Sequence, residues 1–320
     1  MKRIALGSLI STAFWGIAMG LLIVASGIPC HAQSLPPLRG VYTPGFNATN
    51  SGVMPDPGFT YSNTFLDYSF NQAKCTVCGE LDPNVDVLID VNVFMWVSKK
   101  KILGGNYGLV AGLSVTNSAL SLAGEENQST VGGGGGFADS FYQPVTMGWH
   151  LKRADITAAY AFFAPTGRFT AGASNNTGSG HWTNAPTAGE TFYLTKNKGT
   201  AFSAYEMYEF HTTQEGTNIH PGQTFDVDYS LTQILPLQKD MHTLLQVGVV
   251  GYGQWQTSNN SGPGVDPQHP GHYRVNAIGG AANIILPVRK VALGFKLMKE
   301  FSNSYTVQGY SLQISGAITF

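Results

Sequence analysis

The chain has 320 residues, a formal net charge of −1 and charged side chains at only 12% of its positions. A soluble globular domain carries about a quarter, so the material for an ordinary water-facing surface is short, and near-neutrality without a basic run argues against nucleic acid as a partner. Mean hydropathy is nevertheless only −0.02, with 39 glycines and 12% aromatic residues; low charge without high hydropathy results when apolar residues alternate with small polar ones, as in a barrel wall between lipid and a polar lumen.

The N-terminus reads as an export signal. Lys2 and Arg3 supply the positive start, Ile4 to Pro29 is free of charge, and Cys30-His31-Ala32 places small residues at the two positions that signal peptidase reads. The stretch is long enough to anchor a chain in a bilayer, but no positive flank follows it, and Gly-Ile-Pro ahead of Cys30 fits a lipoprotein signal poorly. This makes 1–32 a signal peptide and 33–56, with several Pro and Gly, an extended lead-in that lies in the periplasm or folds into the lumen as a plug. Beyond Ala32 no apolar run is long enough for a spanning helix. A mature membrane protein must then be a closed barrel, here over 57–320.

Period-two segments recur along that region. Val85, Val87, Ile89, Val91, Val93, Met95 and Val97 share one face, and Asp86, Leu88, Asp90, Asn92, Phe94 and Trp96 the other; a strand explains this and a helix does not. Phe225, Val227, Tyr229 and Leu231 alternate in the same way with Asp226, Asp228, Ser230 and Thr232. Twelve strands are expected, near 57–70, 84–98, 105–118, 136–150, 154–165, 181–195, 200–212, 223–235, 241–256, 272–286, 290–301 and 308–320, although ten or fourteen also fit. Long connections rich in Gly, Asn, Ser and Pro alternate with short basic ones at Lys99-Lys100-Lys101, Lys152-Arg153, Lys196-Asn197-Lys198, Gln238-Lys239-Asp240 and Val288-Arg289-Lys290. That is the asymmetry of outer loops and periplasmic turns in an even-stranded barrel with both termini in the periplasm. The last segment puts Tyr310, Leu312, Ile314, Ile318 and Phe320 on one face and ends on an aromatic residue. It resembles the terminal strand that the barrel-assembly machinery of Gram-negative outer membranes recognises. A soluble sandwich would dress its outer face with Lys, Glu and Arg, whereas here the non-apolar face is mostly Ser, Thr, Gly, Asn and Ala. The expected fold is all-β, a transmembrane antiparallel up-and-down barrel.

Taking the clean apolar stripe of each strand as lipid-facing, Asp86, Asp90, Asn92, Asp226, Asp228, Arg274, Asn276, Lys296 and Glu300 point inward, since Lys or Arg facing lipid at mid-depth costs about 2–4 kcal/mol. They form a satisfied network in a narrow barrel or a polar lining and gate. Glu206 conflicts with this reading, because it shares a face with Phe202, Tyr208 and Phe210. Trp96, Trp149, Trp182, Tyr193, Trp255 and Tyr310 fall near strand ends as a girdle, while Phe94 and Tyr252 are candidates to touch a hydrophobic solute in the lumen. Cys75 and Cys78 form a CxxC in an outer loop, read as a local disulfide; Gly79 follows, so a haem-attachment string is absent, and no second CxxC supports a zinc site. His269 and His272 lack a carboxylate neighbour other than Asp266, and the glycine run 132–136 is followed by no GK[ST]. No cofactor or metal is called for.

Three strings carry a further signal: GFADSFYQPVTMGWH at Gly136 to His150, AYAFFAPTGRFTAGASNNTGSGHW at Ala159 to Trp182, and VGVVGYGQWQTSNNSG at Val247 to Gly262. They resemble the family labelled as the phenol meta-pathway degradation protein, over roughly Pro57 to Phe320, and the APTGR…NN…W string is the most specific part. The resemblance implies an outer-membrane barrel encoded near genes for breakdown of aromatic or hydrophobic compounds, and a channel for such compounds instead of an enzyme that degrades phenol. It carries over no catalytic residue: Ala164-Pro165-Thr166-Gly167 reads as a strand end and turn, with Arg168 and Asn175-Asn176 in the outer loop. The Cys75–Cys78 pair lies outside the family pattern. The expected function is passive uptake of small hydrophobic molecules, with membrane lipid, lipopolysaccharide, the assembly machinery and the solute as partners. The rivals are a sealed structural or surface-binding barrel, and an outer-membrane hydrolase built on His150, His211 or His242 without a recognisable nucleophile motif.

Overall fold

The structure, a computed structural model, describes residues 39–75, 79–81, 83–122, 130–265 and 272–320. Twelve long strands make the wall: β1 Gly58–Cys75, β2 Pro83–Ile102, β3 Gly105–Leu122, β4 Ser140–His150, β5 Ala154–Ala164, β6 Thr183–Tyr193, β7 Thr200–His211, β8 Thr224–Pro236, β9 Leu244–Gln256, β10 Arg274–Leu286, β11 Val291–Ser304 and β12 Val307–Thr319. Each pairs antiparallel with the next, and β12 pairs with β1 from Thr60↔Thr319 to Ala73↔Val307, which closes the sheet. Three short strands, Gly79–Leu81, Thr130–Gly132 and Gly135–Phe137, continue the ladders beyond the tops of β1 and β3. Closure leaves no unpaired edge, the condition for placing a sheet in lipid.

The expected strands lie within a few residues of the observed ones, apart from β1 to β3, which run on to 18–20 residues into a tall hairpin. The β4, β5 and β6 strands have 11 residues each, about the length that a tilted strand needs to cross a hydrocarbon layer. Their alternation is physical: in β8, Asp226, Asp228, Ser230 and Thr232 are buried while Leu231 is exposed between them. Large apolar side chains dominate the outer wall, among them Phe65, Leu113, Tyr160, Phe202, Ile278, Leu293, Phe295 and Ile314. Trp96, Trp182 and Tyr310 stand exposed near strand ends. One outer connection departs from the expected long loops. Ser304 to Val307 is a tight turn, with Ser302 and Tyr305 at positive φ and the Asn303 amide donating to the Thr306 carbonyl (2.8 Å).

At the seam the last residue joins the ladder, the Phe320 amide donating to the Phe59 carbonyl (2.8 Å). Gly309 is the tightest point: a Cβ there would lie 1.9 Å from the Ser69 carbonyl oxygen and 2.7 Å from Phe70 Cα. Gly309→Val should therefore destabilise the barrel by roughly 1–3 kcal/mol, the usual cost of overpacking. The check is a lower urea midpoint of the refolded protein; an unchanged midpoint would mean that the seam yields.

Candidate functional site

The interior of the barrel holds part of the chain itself. Before β1, residues 39–57 descend from the loop end, where Arg39 meets Glu300, Thr306 and the Val307 carbonyl, to the turn end, where Met54 lies beneath Gly108 and Gly148. An irregular backbone buried inside the barrel must find partners for its N–H and C=O groups, and inward-pointing side chains supply many of them.

Three carboxylates do most of this. Glu209 of β7 accepts from the amides of Val41 (2.9 Å) and Tyr42 (2.7 Å). Asp228 of β8 accepts from the Tyr42 hydroxyl and from the amides of Gly45 (2.7 Å) and Asn47 (2.9 Å). Glu300 of β11 takes both terminal nitrogens of Arg39, a forked pair, together with the Tyr252 hydroxyl and the Gly309 amide. Lys296 donates to the carbonyls of Gly45 and Phe46, both at 2.7 Å, and the Tyr68 hydroxyl donates to the Pro44 carbonyl. Lower down, Asn50 exchanges amide hydrogen bonds with Gln246, and the Gly52 amide donates to Thr191 Oγ1. The opposite wall is apolar. Leu66, Tyr68 and Phe70 pack with Phe46 of the segment and with Val85, Val87, Ile89 and Val91.

Asp226, Asp228, Lys296 and Glu300 thus point inward, each at most 5% exposed, and Tyr252 is buried beside them. The expectation for six other residues needs correction. Asp86, Asp90 and Asn92 face outward, because the valine face of β2 is the one that packs on Leu66, Tyr68 and Phe70 inside. On that face Tyr61 donates to Asn92 (2.7 Å) and Asn63 to Asp90 (2.5 Å). Phe94 goes outward with them, stacked near Phe59 and Tyr61, and cannot meet a solute in the lumen. Arg274 and Asn276 also face outward, since Val275, Ala277 and Ala281 take the inner face of β10 against Tyr252, Met298 and Ala48. Glu206 is on the outer face in mid-strand, opposite Ala188 and Val227, so its period-two position stands and it is not a rim residue. Tyr310, Leu312, Ile314 and Ile318 lie on the outer face of β12, with Ser311 and Gln313 buried inside. Cys78 and His269 lie outside the described residues, as does the Cys75 side chain; His272 hydrogen-bonds Asn259.

The sequence reading missed Arg39, Tyr42, Glu209, Gln246 and Tyr273, whose hydroxyl accepts from the Gly40 amide (2.6 Å). Glu209 was within reach of it, because alternation in β7 sets it with Tyr205 and His211, opposite Phe202 and Phe210. At the loop end His211 Nδ1 lies 2.8 Å from Thr183 Oγ1, and its Nε2 lies 3.5 Å from Glu209. The neighbouring His181 reaches the same hydroxyl, and burial lowers its pKa. A hydroxyl, an imidazole and a carboxylate in this order resemble a hydrolytic relay. Thr183, however, has no exposed surface and Glu209 is occupied by the segment, so no substrate reaches the hydroxyl in this state. His150 and His242 pair with Asp155 and Asp240 at the turn end, away from any buried hydroxyl relay. Among the described residues no cluster of His, Cys, Asp and Glu has the geometry of a metal site. The APTGR…NN string is structural: Arg168 donates to the Asn175 carbonyl (2.6 Å), and Asn176 closes the loop on Thr170.

Asp228→Ala would strip the Tyr42 hydroxyl and the buried Gly45 amide of their acceptor and remove one from the Asn47 amide, at about 1–3 kcal/mol for an unsatisfied group. With Cys75 and Cys78 replaced by serine and Thr49→Cys as reporter, maleimide labelling of the segment should speed up by roughly tenfold or more. Equal rates would show that Asp228 does not hold it.

A family model described as "Putative MetA-pathway of phenol degradation" matches residues 44–315, beginning inside the lumen segment. No curated protein matches the chain significantly. Among solved structures, the COG4313 outer membrane channel from Pseudomonas putida F1 superposes with a TM-score of 0.67 at 13% identity, covering 87% of this chain and all of that one. The β domain of the Bordetella autotransporter BrkA reaches a TM-score of 0.46 at 12% identity, over 83% of this chain and all of its own. The first of these likenesses agrees with the fold, and the match over most of the sequence settles kinship: this chain belongs to the family described as Putative MetA-pathway of phenol degradation.

Proposed function

We propose that this protein is an outer-membrane channel for small hydrophobic, including aromatic, compounds, and that the 39–57 segment sets its closed state. The observation that carries the reading is the two-sided lumen. One wall offers Leu66, Phe70, Val85, Val87 and Ile89 to an apolar solute, and the other offers Glu209, Asp228, Lys296 and Glu300. The segment is held there by side-chain hydrogen bonds and not by strand pairing, so it can leave without opening the wall. Its removal would free an amphipathic path along the barrel axis. The likeness to a structure described as an outer membrane channel, and a family described by phenol degradation, support the same reading.

The density of contacts around the segment favours a rival, a barrel sealed for structural reasons. Bilayer conductance separates the two. The refolded mature protein should conduct weakly, and a variant lacking 39–56 should conduct steadily and be blocked by added aromatic solutes. A folded variant that neither conducts nor admits an aromatic solute into vesicles would favour the sealed barrel.

A further inference from the structure

The turn end of the barrel carries a charge pattern that the channel reading does not use. Ten of the eighteen Lys and Arg residues of the chain fall in its five short turns: Lys99, Lys100, Lys101, Lys152, Arg153, Lys196, Lys198, Lys239, Arg289 and Lys290. All ten are exposed. The one acid in these turns, Asp240, already pairs with His242. Each turn also presents an aliphatic side chain to the outside next to its cations: Ile102 and Leu103, Leu151, Leu194, Leu237 and Met241, and Val288. Leu103 is 89% exposed and Val288 71%, which is unfavourable in water and favourable at the boundary of a bilayer.

Two of these cations are held by neighbouring groups. Arg153 is fixed by the carbonyls of Tyr193 and Leu194, Lys198 lies 4.4 Å from the centre of the Tyr193 ring, and the Trp149 indole donates to the Leu103 carbonyl. Beside the first turn an apolar groove of about 430 Å³ is lined by Gly58, Trp96, Val97, Ser98, Lys99 and Lys100. Two lysines thus border an apolar surface at the turn end.

We propose that this ring binds the phosphate groups of anionic phospholipids in the periplasmic leaflet, with the adjoining aliphatic and aromatic side chains in the upper acyl region. An acidic protein in the periplasm would be drawn by the same charge, but it would give no reason for aliphatic side chains exposed in every turn. One basic side chain at an anionic membrane surface is worth roughly a fivefold preference, and screening by salt weakens it within a Debye length of about 8 Å. The proposal rests on the membrane reading but not on the identity of any solute.

The mature chain has four tryptophans, Trp96 and Trp149 at the turn end and Trp182 and Trp255 at the loop end. In a Trp182→Phe, Trp255→Phe protein the indole signal comes from the turn end alone. This protein, refolded in phosphatidylcholine vesicles doped with brominated phosphatidylglycerol or with brominated phosphatidylcholine, reports which lipid sits there. The expected result is several-fold stronger quenching by phosphatidylglycerol at low salt, falling towards parity at high salt and in the Lys99→Gln, Lys100→Gln, Lys101→Gln, Lys152→Gln variant. Equal quenching by the two lipids at low salt would overturn the proposal, as would a preference unmoved by salt. Because the salt titration uses the unneutralised ring, a variant that fails to refold leaves the test intact. Failure to enter vesicles at all would instead count against the membrane reading.

Discussion

The interior of this barrel depends on one exchange. Glu209, Asp228 and Glu300 are carboxyl groups with almost no exposed surface, and a buried charge without partners costs several kcal/mol. The 39–57 segment brings backbone amides that would be equally costly to bury alone. Each side satisfies the other, and Arg39 and Lys296 add the positive charge. The lumen and the segment are therefore one structure: neither wall nor filling is well satisfied without its counterpart.

This exchange divides the barrel by chemistry. Strands β7, β8, β9 and β11 turn Glu209, Asp226, Asp228, Gln246, Gln254, Lys296 and Glu300 inward, whereas β1 and β2 face inward with Leu66, Phe70 and valines. The segment matches both halves, laying Phe46 on the apolar wall while Tyr42 and Asn47 reach Asp228. The same demand explains why β2 presents aspartates to the outside. Once Phe46 and Leu66 require an apolar neighbour, alternation forces Asp86, Asp90 and Asn92 to the other face, where Asn63 and Tyr61 hydrogen-bond two of them.

The two ends of the barrel are built on different terms. Loop-end connections hold themselves by side-chain to backbone hydrogen bonds, as Arg168 and Asn176 do within the family string, and so keep an irregular backbone in order. The turns at the opposite end are short and basic, with bonds such as those of Arg153 to Tyr193 and Leu194 fixing where their charge lies.

Sequence alone pointed to the antiparallel barrel, to about twelve strands with ten or fourteen still open, and to most of the strand ends, because the period-two pattern and the turn residues are local properties of the chain. It also placed Asp226, Asp228, Lys296 and Glu300 inside, where the alternate residues are large, apolar and exposed. It could not say which face of β2 or β10 is the inner one. Alternation is symmetric under exchange of faces, and the choice is made by what fills the lumen. That filling pairs residues some 170 to 260 positions apart, such as Tyr42 with Glu209 and Arg39 with Glu300. No local pattern encodes such a contact. Only the closed barrel brings an extended segment past the three strands that carry Glu209, Asp228 and Glu300, and so only the tertiary structure decided where the site lies.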